Sequence, residues 1–347
     1  MKVLFRADAS IKIGTGHIMR CLTLAHLLKN EGARAVFVCS EIPGNLIEFI
    51  RQEGFEVFPI IDKLNHFQDA SATFKIAESE KADLIIVDHY SLNVEWEAIL
   101  RNGLFKIMVI DDLANREHDC DILLDQNYFL NYERRYEGLV PRSCRTLLGP
   151  SHLLLRPEFY ETQVVRQREN GINNLLIFYG GSDPTNETVK ALIALSDIEL
   201  TNLHIHVVVG ESNQEKDHIQ YICKEKNYHF YKQIDYIADL MGRADLALGA
   251  GGVTMWERCF LGLPSIVTIV AENQKESSEA AAAFGAVWNL GWHEAVKGSN
   301  IVDILKRALK SPKSLQEMSN KAKQLTHAKQ IHKIHPVVEA ILEVLDK

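Results

Sequence analysis

The feature that most constrains this chain is an alternation of short apolar runs with stretches of helical periodicity, present across the first half and repeated across the second. The first set of runs is Val3 to Ala7, Arg34 to Cys39, Glu56 to Ile60, Leu84 to Asp88, Lys106 to Asp111 and Ile122 to Leu124. Between the first two, His17 to Lys29 carries Met19, Leu22, Leu24, Leu27 and Leu28 at helical spacing, and Gly32 closes the pattern. Such alternation implies βαβ units and a parallel sheet. The second set begins at Leu175-Leu176-Ile177-Phe178 and continues through His204 to Val209, His229 to Tyr231, Ala244 to Leu248 and Ser265 to Val270. At about 150 residues per domain, 347 residues make two domains. The expected fold class is α/β, with two Rossmann-like domains facing a central cleft.

The expected division is a first domain at 1–158, a linker at 159–172 and a second domain at 173–347, with the last helix packing back on the first domain. Arg156-Pro157 and the polar run Gln163 to Asn170 break the alternation there. Hydrophobic residues at 46% and charged residues at 24% are the balance of a soluble globular protein. A net charge of −8, without a dense basic block, excludes a nucleic-acid partner from the expectations. The six cysteines include no CxxC pair, and the opening Val3-Leu4-Phe5 shows no leader or cleavage site. A cytoplasmic protein with reduced thiols and no membrane insertion is expected, with a monomer as the default.

After the first run come Arg6-Ala7-Asp8-Ala9-Ser10 and Gly14-Thr15-Gly16-His17, opening a helix. The dinucleotide fingerprint GxGxxG fails, because Met19 stands at its third glycine. Closely spaced glycines let a ligand approach the backbone, and a helix N-terminus favours the neutral imidazole that a general base requires. His17 thus has two readings of equal weight, a base or a polar helix-start residue that bonds the loop. Cys21, one turn on, is too little to complete a zinc site with it.

Gly180-Gly181-Ser182-Asp183-Pro184 follows a strand, with Asp183 as an N-cap and Pro184 at the first helical position. The segment suits a phosphate and an ordinary tight turn equally. Gly249-Ala250-Gly251-Gly252-Val253-Thr254 leaves another strand for a helix bearing Trp256, Glu257 and Arg258, and would aim free amides at a pyrophosphate. On local pattern, Glu257 reads first as the partner of Thr254 in a capping box and second as a carboxylate for a ribose diol. Asp88-His89-Tyr90, Asp111-Asp112 and Glu272-Asn273-Gln274 also follow strands, where open α/β sheets bind ligands. The adjacent aspartates suggest Mg²⁺ or a turn, and without a third carboxylate at persuasive spacing no metal is expected. GxSxG, HExxH and GxxxxGK[ST] are absent.

The stretch Arg6-Ala7-Asp8-Ala9-Ser10 with Gly14-Thr15-Gly16-His17-Ile18-Met19-Arg20-Cys21-Leu22-Thr23-Leu24-Ala25 resembles the opening of the pseudaminic-acid pathway UDP-sugar hydrolase family. Val87 to Tyr90, Ile110 to Arg116, Gly149-Pro150, Leu155 to Phe159, Gly180 to Pro184, Gly251 to Glu257 and Glu272 to Gln274 extend the resemblance along nearly the whole chain. That family is similar to the MurG-type glycosyltransferases, so the resemblance implies their two-domain GT-B fold. It also implies inverting hydrolysis of UDP-2,4-diacetamido-2,4,6-trideoxy-β-L-altropyranose by water, with neither metal nor cofactor. His17 matches the catalytic histidine. Asp8, Gly14, Gly16, Arg20, Tyr90, Asn273 and Gln274 fall in motifs implied to serve the substrate, and Arg156 in one that contacts the diphosphate or fixes the interdomain segment. Gly181, Ser182, Gly252, Val253 and Thr254 match diphosphate loops, and Glu257 matches the acid that holds the ribose, which raises that reading above the capping box. Two alternatives stand beside hydrolysis: a GT-B transferase that passes a UDP-amino sugar to an acceptor, and a nucleotide-sugar binding protein without turnover.

Overall fold

The computed structural model describes residues 1–10, 14–62, 64–164, 171–196, 198, 203–327 and 333–346. The chain forms two compact units, one of Met1–Asn127, Asn131–Leu155 and Ile331–Lys347, the other of Tyr128–Leu130 and Arg156–Gln330. The expected linker at 159–172 lies partly outside the described residues. The second unit takes up the chain at Arg156, upstream of the boundary at 158 read from the sequence. Side chains explain this: Phe159 is buried, Tyr160 meets Phe260 edge-on at 5.2 Å, and Arg156 reaches Glu257.

In the first unit the strands are β1 (Lys2–Ala7), β2 (Arg34–Ser40), β3 (Glu56–Ile60), β4 (Leu84–Asp88), β5 (Lys106–Ile110), β6 (Ile122–Asp125) and β7 (Arg145–Leu148). They form a parallel sheet of order β3-β2-β1-β4-β5-β6-β7. Side-chain alternation divides each strand between two layers. Val3, Phe5, Leu84 and Ile86 face the helix Gly16–Asn30 and the C-terminal helix Pro336–Leu345, whose Val337, Val338 and Ile341 are buried there. Leu4, Ile85 and Val87 face the other layer, with Trp96 and Leu100 of the helix Val94–Leu100.

The second unit repeats the plan with β8 (Asn174–Phe178), β9 (His204–Val209), β10 (His229–Lys232), β11 (Leu246–Ala250), β12 (Ser265–Ile269) and β13 (Trp288–Trp292). The order is β10-β9-β8-β11-β12-β13, again parallel. In each sheet the order reverses beside the unit's first strand, between β1 and β4 and between β8 and β11. Loops leaving those strands diverge and open a crevice at the carboxyl ends. β7 and β13 are additions to the sequence reading. β7 is four residues beginning with an arginine, and β13 mixes Trp, Asn and a Gly291 at φ +96° beside a register shift. Neither presents an apolar run.

Candidate active site

The first crevice gathers side chains that are distant in sequence. β1 and β4 pair in register with Ala7 opposite Asp88, so the helix that follows β1 starts beside the end of β4. That helix begins at Gly16, which puts His17 in its first turn. His17 Nδ1 lies 2.5 Å from Asp88 Oδ1, and both residues are buried. Arg20, one turn along, donates to the same carboxylate through Nη2 at 2.6 Å and through Nε, and Cys21 Sγ adds a 3.7 Å contact. Burial alone would raise the Asp88 carboxyl, yet the Arg20 guanidinium and the His17 imidazole hold it well below the usual carboxylate range. An ionised Asp88 accepts only, so Nδ1 of His17 donates to it, and in the neutral imidazole Nε2 is then the nitrogen with the lone pair. This is the tautomer a base at Nε2 requires.

Tyr90 closes one side of the imidazole, ring centroids 4.5 Å apart and nearly perpendicular. Its hydroxyl donates to Asp112 Oδ2 at 3.4 Å, and Arg20 Nη1 reaches the same oxygen at 3.4 Å. Asp112 Oδ1 is buried without a hydrogen-bond partner. Asp111 behaves differently: its Oδ2 accepts from the Leu113 and Ala114 amides and from Tyr136, and its Oδ1 lies 2.8 Å from Arg116. The adjacent aspartates therefore divide their work, Asp111 shaping the turn and Asp112 facing the histidine cluster. Among the described residues no three His, Cys, Asp or Glu side chains are grouped to hold a metal ion.

Asp8 and Gly14 have structural partners. Asp8 accepts from Arg6 at 2.7 and 3.0 Å and from the Ser40 amide and hydroxyl at 2.7 and 3.0 Å. His89 adds a fifth contact at 3.3 Å, and Arg6 continues to Asp69, which also receives the Trp96 indole N–H. The Asp8 carboxylate is thus consumed by the scaffold under the loop. Gly14 adopts φ +81° and donates to Ser10 O at 2.8 Å.

In the second unit the loops after β8 and β11 are brought side by side by the pairing of those strands. Gly180 takes φ +96°, and Gly181 O accepts from the Gly210 amide at 3.1 Å. A Cβ on Gly210 would sit 2.4 Å from that oxygen, so the lone glycine ending the run Val207-Val208-Val209 is a requirement that sequence reading passed over. Asp183 takes φ +40° and accepts from the Glu187 and Thr188 amides at 3.0 and 2.8 Å. The helix starts at Glu187, so Pro184 lies in the loop and not at the first helical position.

The loop after β11 enters the helix Val253–Phe260 through Gly252, at φ +73°. No side chain caps this helix, so the Thr254 and Glu257 capping box suggested by local pattern does not form. The reason is position: Thr254 already lies inside the helix, and its Oγ1 accepts from Arg258 Nη1 at 3.2 Å. Glu257 Oε1 accepts from Arg156 at 3.2 Å while Oε2 is buried without a partner. Burial pushes the Glu257 carboxyl up, opposed by Arg156. Arg156 also pairs with Glu158 at 3.0 Å. Gln274 accepts from the Val270 amide at 3.3 Å and packs on the glycines, where a Cβ on Gly251 would meet its Oε1 at 3.1 Å. Asn273 precedes it in the 3₁₀ turn Glu272–Gln274. Of the residues singled out from the sequence, His17, Arg20 and Tyr90 form one cluster in the first unit. Gly252, Val253, Thr254 and Gln274 form another in the second, with Gly181 and Ser182 on the neighbouring strand's loop. Asp88 and Arg258 complete these clusters, and neither carried a role in the sequence reading.

Comparison with known proteins identifies the family and the fold. A glycosyltransferase family 28 C-terminal domain matches residues 175–334. A Methanocaldococcus jannaschii protein of uncharacterized function is 29% identical over 286 residues, 80% of this chain, and the chain spans 57% of its length. A Campylobacter jejuni UDP-2,4-diacetamido-2,4,6-trideoxy-β-L-altropyranose hydrolase is 31% identical over 248 residues, covering 71% of this chain and 83% of that protein. The chain belongs to this hydrolase family. Acinetobacter baumannii MurG superposes with a TM-score of 0.69 at 14% identity, covering 99% of both chains. Together with the two parallel sheets, that likeness makes the fold of this member of the hydrolase family GT-B. Among the described residues no helix is long and apolar enough to cross a membrane.

Proposed function

We propose that this chain hydrolyses UDP-2,4-diacetamido-2,4,6-trideoxy-β-L-altropyranose to UDP and free 2,4-diacetamido-2,4,6-trideoxy-L-altrose. The observation that carries the reading is the buried His17 and Asp88 pair, with Arg20 securing the carboxylate and Nε2 left as the basic nitrogen. In the proposed step His17 Nε2 takes a proton from water as the water oxygen bonds to the anomeric carbon. The bond from that carbon to the diphosphate oxygen breaks with its electron pair, UDP departs, and the configuration at carbon inverts. A positioned base contributes about 10² to 10⁴-fold, and donors aimed at the departing diphosphate stabilise the charge that grows there. UDP leaves readily as an anion, so the carboxylic acid that protonates an ordinary glycosidase leaving group is not needed.

The nucleotide is assigned to the second unit, where the loops at Gly181-Ser182 and Gly252-Val253-Thr254 offer amides and a hydroxyl, and Glu257 Oε2 waits for a donor such as a ribose hydroxyl. Tyr90 and Arg20 are assigned to the sugar side, beside His17. Family membership supports hydrolysis over transfer to an acceptor, since the Campylobacter relative carries the hydrolase name. The test is hydrolysis in ¹⁸O-labelled water with excess chelator. Label in the free sugar, with UDP unlabelled, is the expected result. Label on the β-phosphate of UDP would mean attack at phosphorus, and no release of UDP without an added acceptor would favour a transferase.

A further inference from the structure

Arg258 stands directly behind the loop that follows β11. Its side chain is fully buried, and its three hydrogen bonds go to neutral oxygens: Ser265 Oγ at 3.1 Å, Thr254 Oγ1 at 3.2 Å and the Ala250 carbonyl at 2.6 Å. No carboxylate of the described residues lies in hydrogen-bond contact with it. Neighbouring Glu257 is engaged by Arg156 instead. The contact with the loop is tight, since a Cβ on Gly249 would fall 2.7 Å from Arg258 Nη1 and 2.5 Å from Phe178 O. Burial lowers the guanidinium to about 10, against a weaker pull from Cys259, Glu257 and Tyr179.

A buried cation without an anion beside it is strongly unfavourable. Its neighbours show what would relieve it. Ala250 C=O and Gly251 N–H belong to one trans peptide and point in opposite directions, so a carbonyl turned onto Arg258 turns the Gly251 N–H away from it. Thr254 Oγ1 accepts from Arg258, so its proton is available to donate elsewhere. Ser278 Oγ, fully buried and without a hydrogen-bond partner, lies 2.6 Å from where a Cβ on Gly251 would sit. Three donors and one unneutralised cation therefore converge on the same short loop.

We propose that Arg258 is a positioning residue for the diphosphate of a bound nucleotide, supplying charge from behind the glycine loop and turning the Gly251 amide and the Thr254 hydroxyl outward as donors. This rests on the nucleotide reading given above. The charge of the ligand completes an electrostatic pair that the unliganded protein leaves open, so the effect is confined to phosphate-bearing ligands. A hydrogen bond to a charged group is worth enough to change affinity by about 10 to 100-fold.

The experiment is calorimetric titration of UDP and of uridine into the 347-residue wild-type chain, Arg258→Gln and Arg258→Lys, with folding checked by circular dichroism. Gln keeps a donor and removes the charge. Arg258→Gln is expected to weaken UDP about 10 to 100-fold and leave uridine unchanged, whereas Arg258→Lys, which keeps the charge but not the three-way fork, weakens UDP less than Arg258→Gln. If Arg258→Gln does not fold, Thr254→Val provides the second arm, expected to weaken UDP and spare uridine. Folded Arg258→Gln that binds UDP like wild type, or loses UDP and uridine equally, overturns the inference. A wild type that binds neither ligand overturns the nucleotide reading itself, and Arg258 with it.

Discussion

Replacing Asp88 by asparagine separates orientation of His17 from its mere presence. The Asp88 carboxylate accepts from His17 Nδ1 at 2.5 Å and from Arg20 Nη2 at 2.6 Å, besides Arg20 Nε. An asparagine keeps one acceptor and presents an amide that can only donate, so one of these donors loses its partner and the imidazole is free to carry its proton on Nε2. Loss of an orienting carboxylate costs about 10² to 10⁴ in kcat, equivalent to about 3–5 kcal/mol in the barrier. Stability falls as well. Arg20 keeps only Asp112 at 3.4 Å as an anionic contact, and an uncompensated buried charge costs roughly 3–5 kcal/mol. Turnover is therefore measured well below the Tm of the variant, with UDP titrated in parallel, because the residues assigned to UDP lie in the other unit. The expected result is kcat lowered at least 100-fold with UDP affinity unchanged. Folded Asp88→Asn with kcat within threefold of wild type would refute the reasoning that Asp88 fixes the tautomer.

Two further predictions concern carboxyls that burial raises. Glu257→Ala is expected to weaken UDP about 10-fold or more while leaving 2′,3′-dideoxy-UDP unaffected, as isothermal titration of the two ligands would show. Burial pushes Asp125 up to about 7, with Asp112 and Asp111 adding to it against the Asn127 amide and Arg135. Because that value lies above the unfolded one, the contribution of Asp125 to folding is fully present below about pH 4 and is lost as pH rises through 7, by at most about 4 kcal/mol. Asp125→Asn should flatten this decline, read as Tm against pH from 4 to 8, and an unchanged slope would count against the assignment.

How much of this was legible in the sequence follows from what each signal depends on. The runs that became β1, β4, β8 and β12 are buried on both faces and therefore read as continuous apolar segments. β7 and β13 are short and mixed, so their pairing is dictated by the neighbouring strand and not by their own residues. His17 stood out because a glycine pair and a helix start mark it locally. Asp88 closes the run Leu84-Ile85-Ile86-Val87, but its partnership with His17 spans 71 positions and exists only once β1 and β4 pair. Thr254 and Glu257 show the opposite error. Their spacing fits a cap, yet the helix begins one residue before Thr254, and other partners decide their roles: Arg258, one turn along the same helix, for Thr254 and Arg156, 101 positions away, for Glu257. Asp8 carried the family's motif, while the fold surrounds its carboxylate with Arg6, Ser40 and His89.

The most direct measurement is a proton NMR time course of the UDP-diacetamido sugar with wild type and with His17→Ala, following the anomeric signal and free UDP in the same tube. Wild type should release UDP together with sugar that first appears in the inverted anomeric form. His17→Ala, folded and binding UDP like wild type, should be slowed at least 100-fold. Equal rates in the two proteins, or first appearance of the retained anomer, would contradict the role of His17 as the base that activates water.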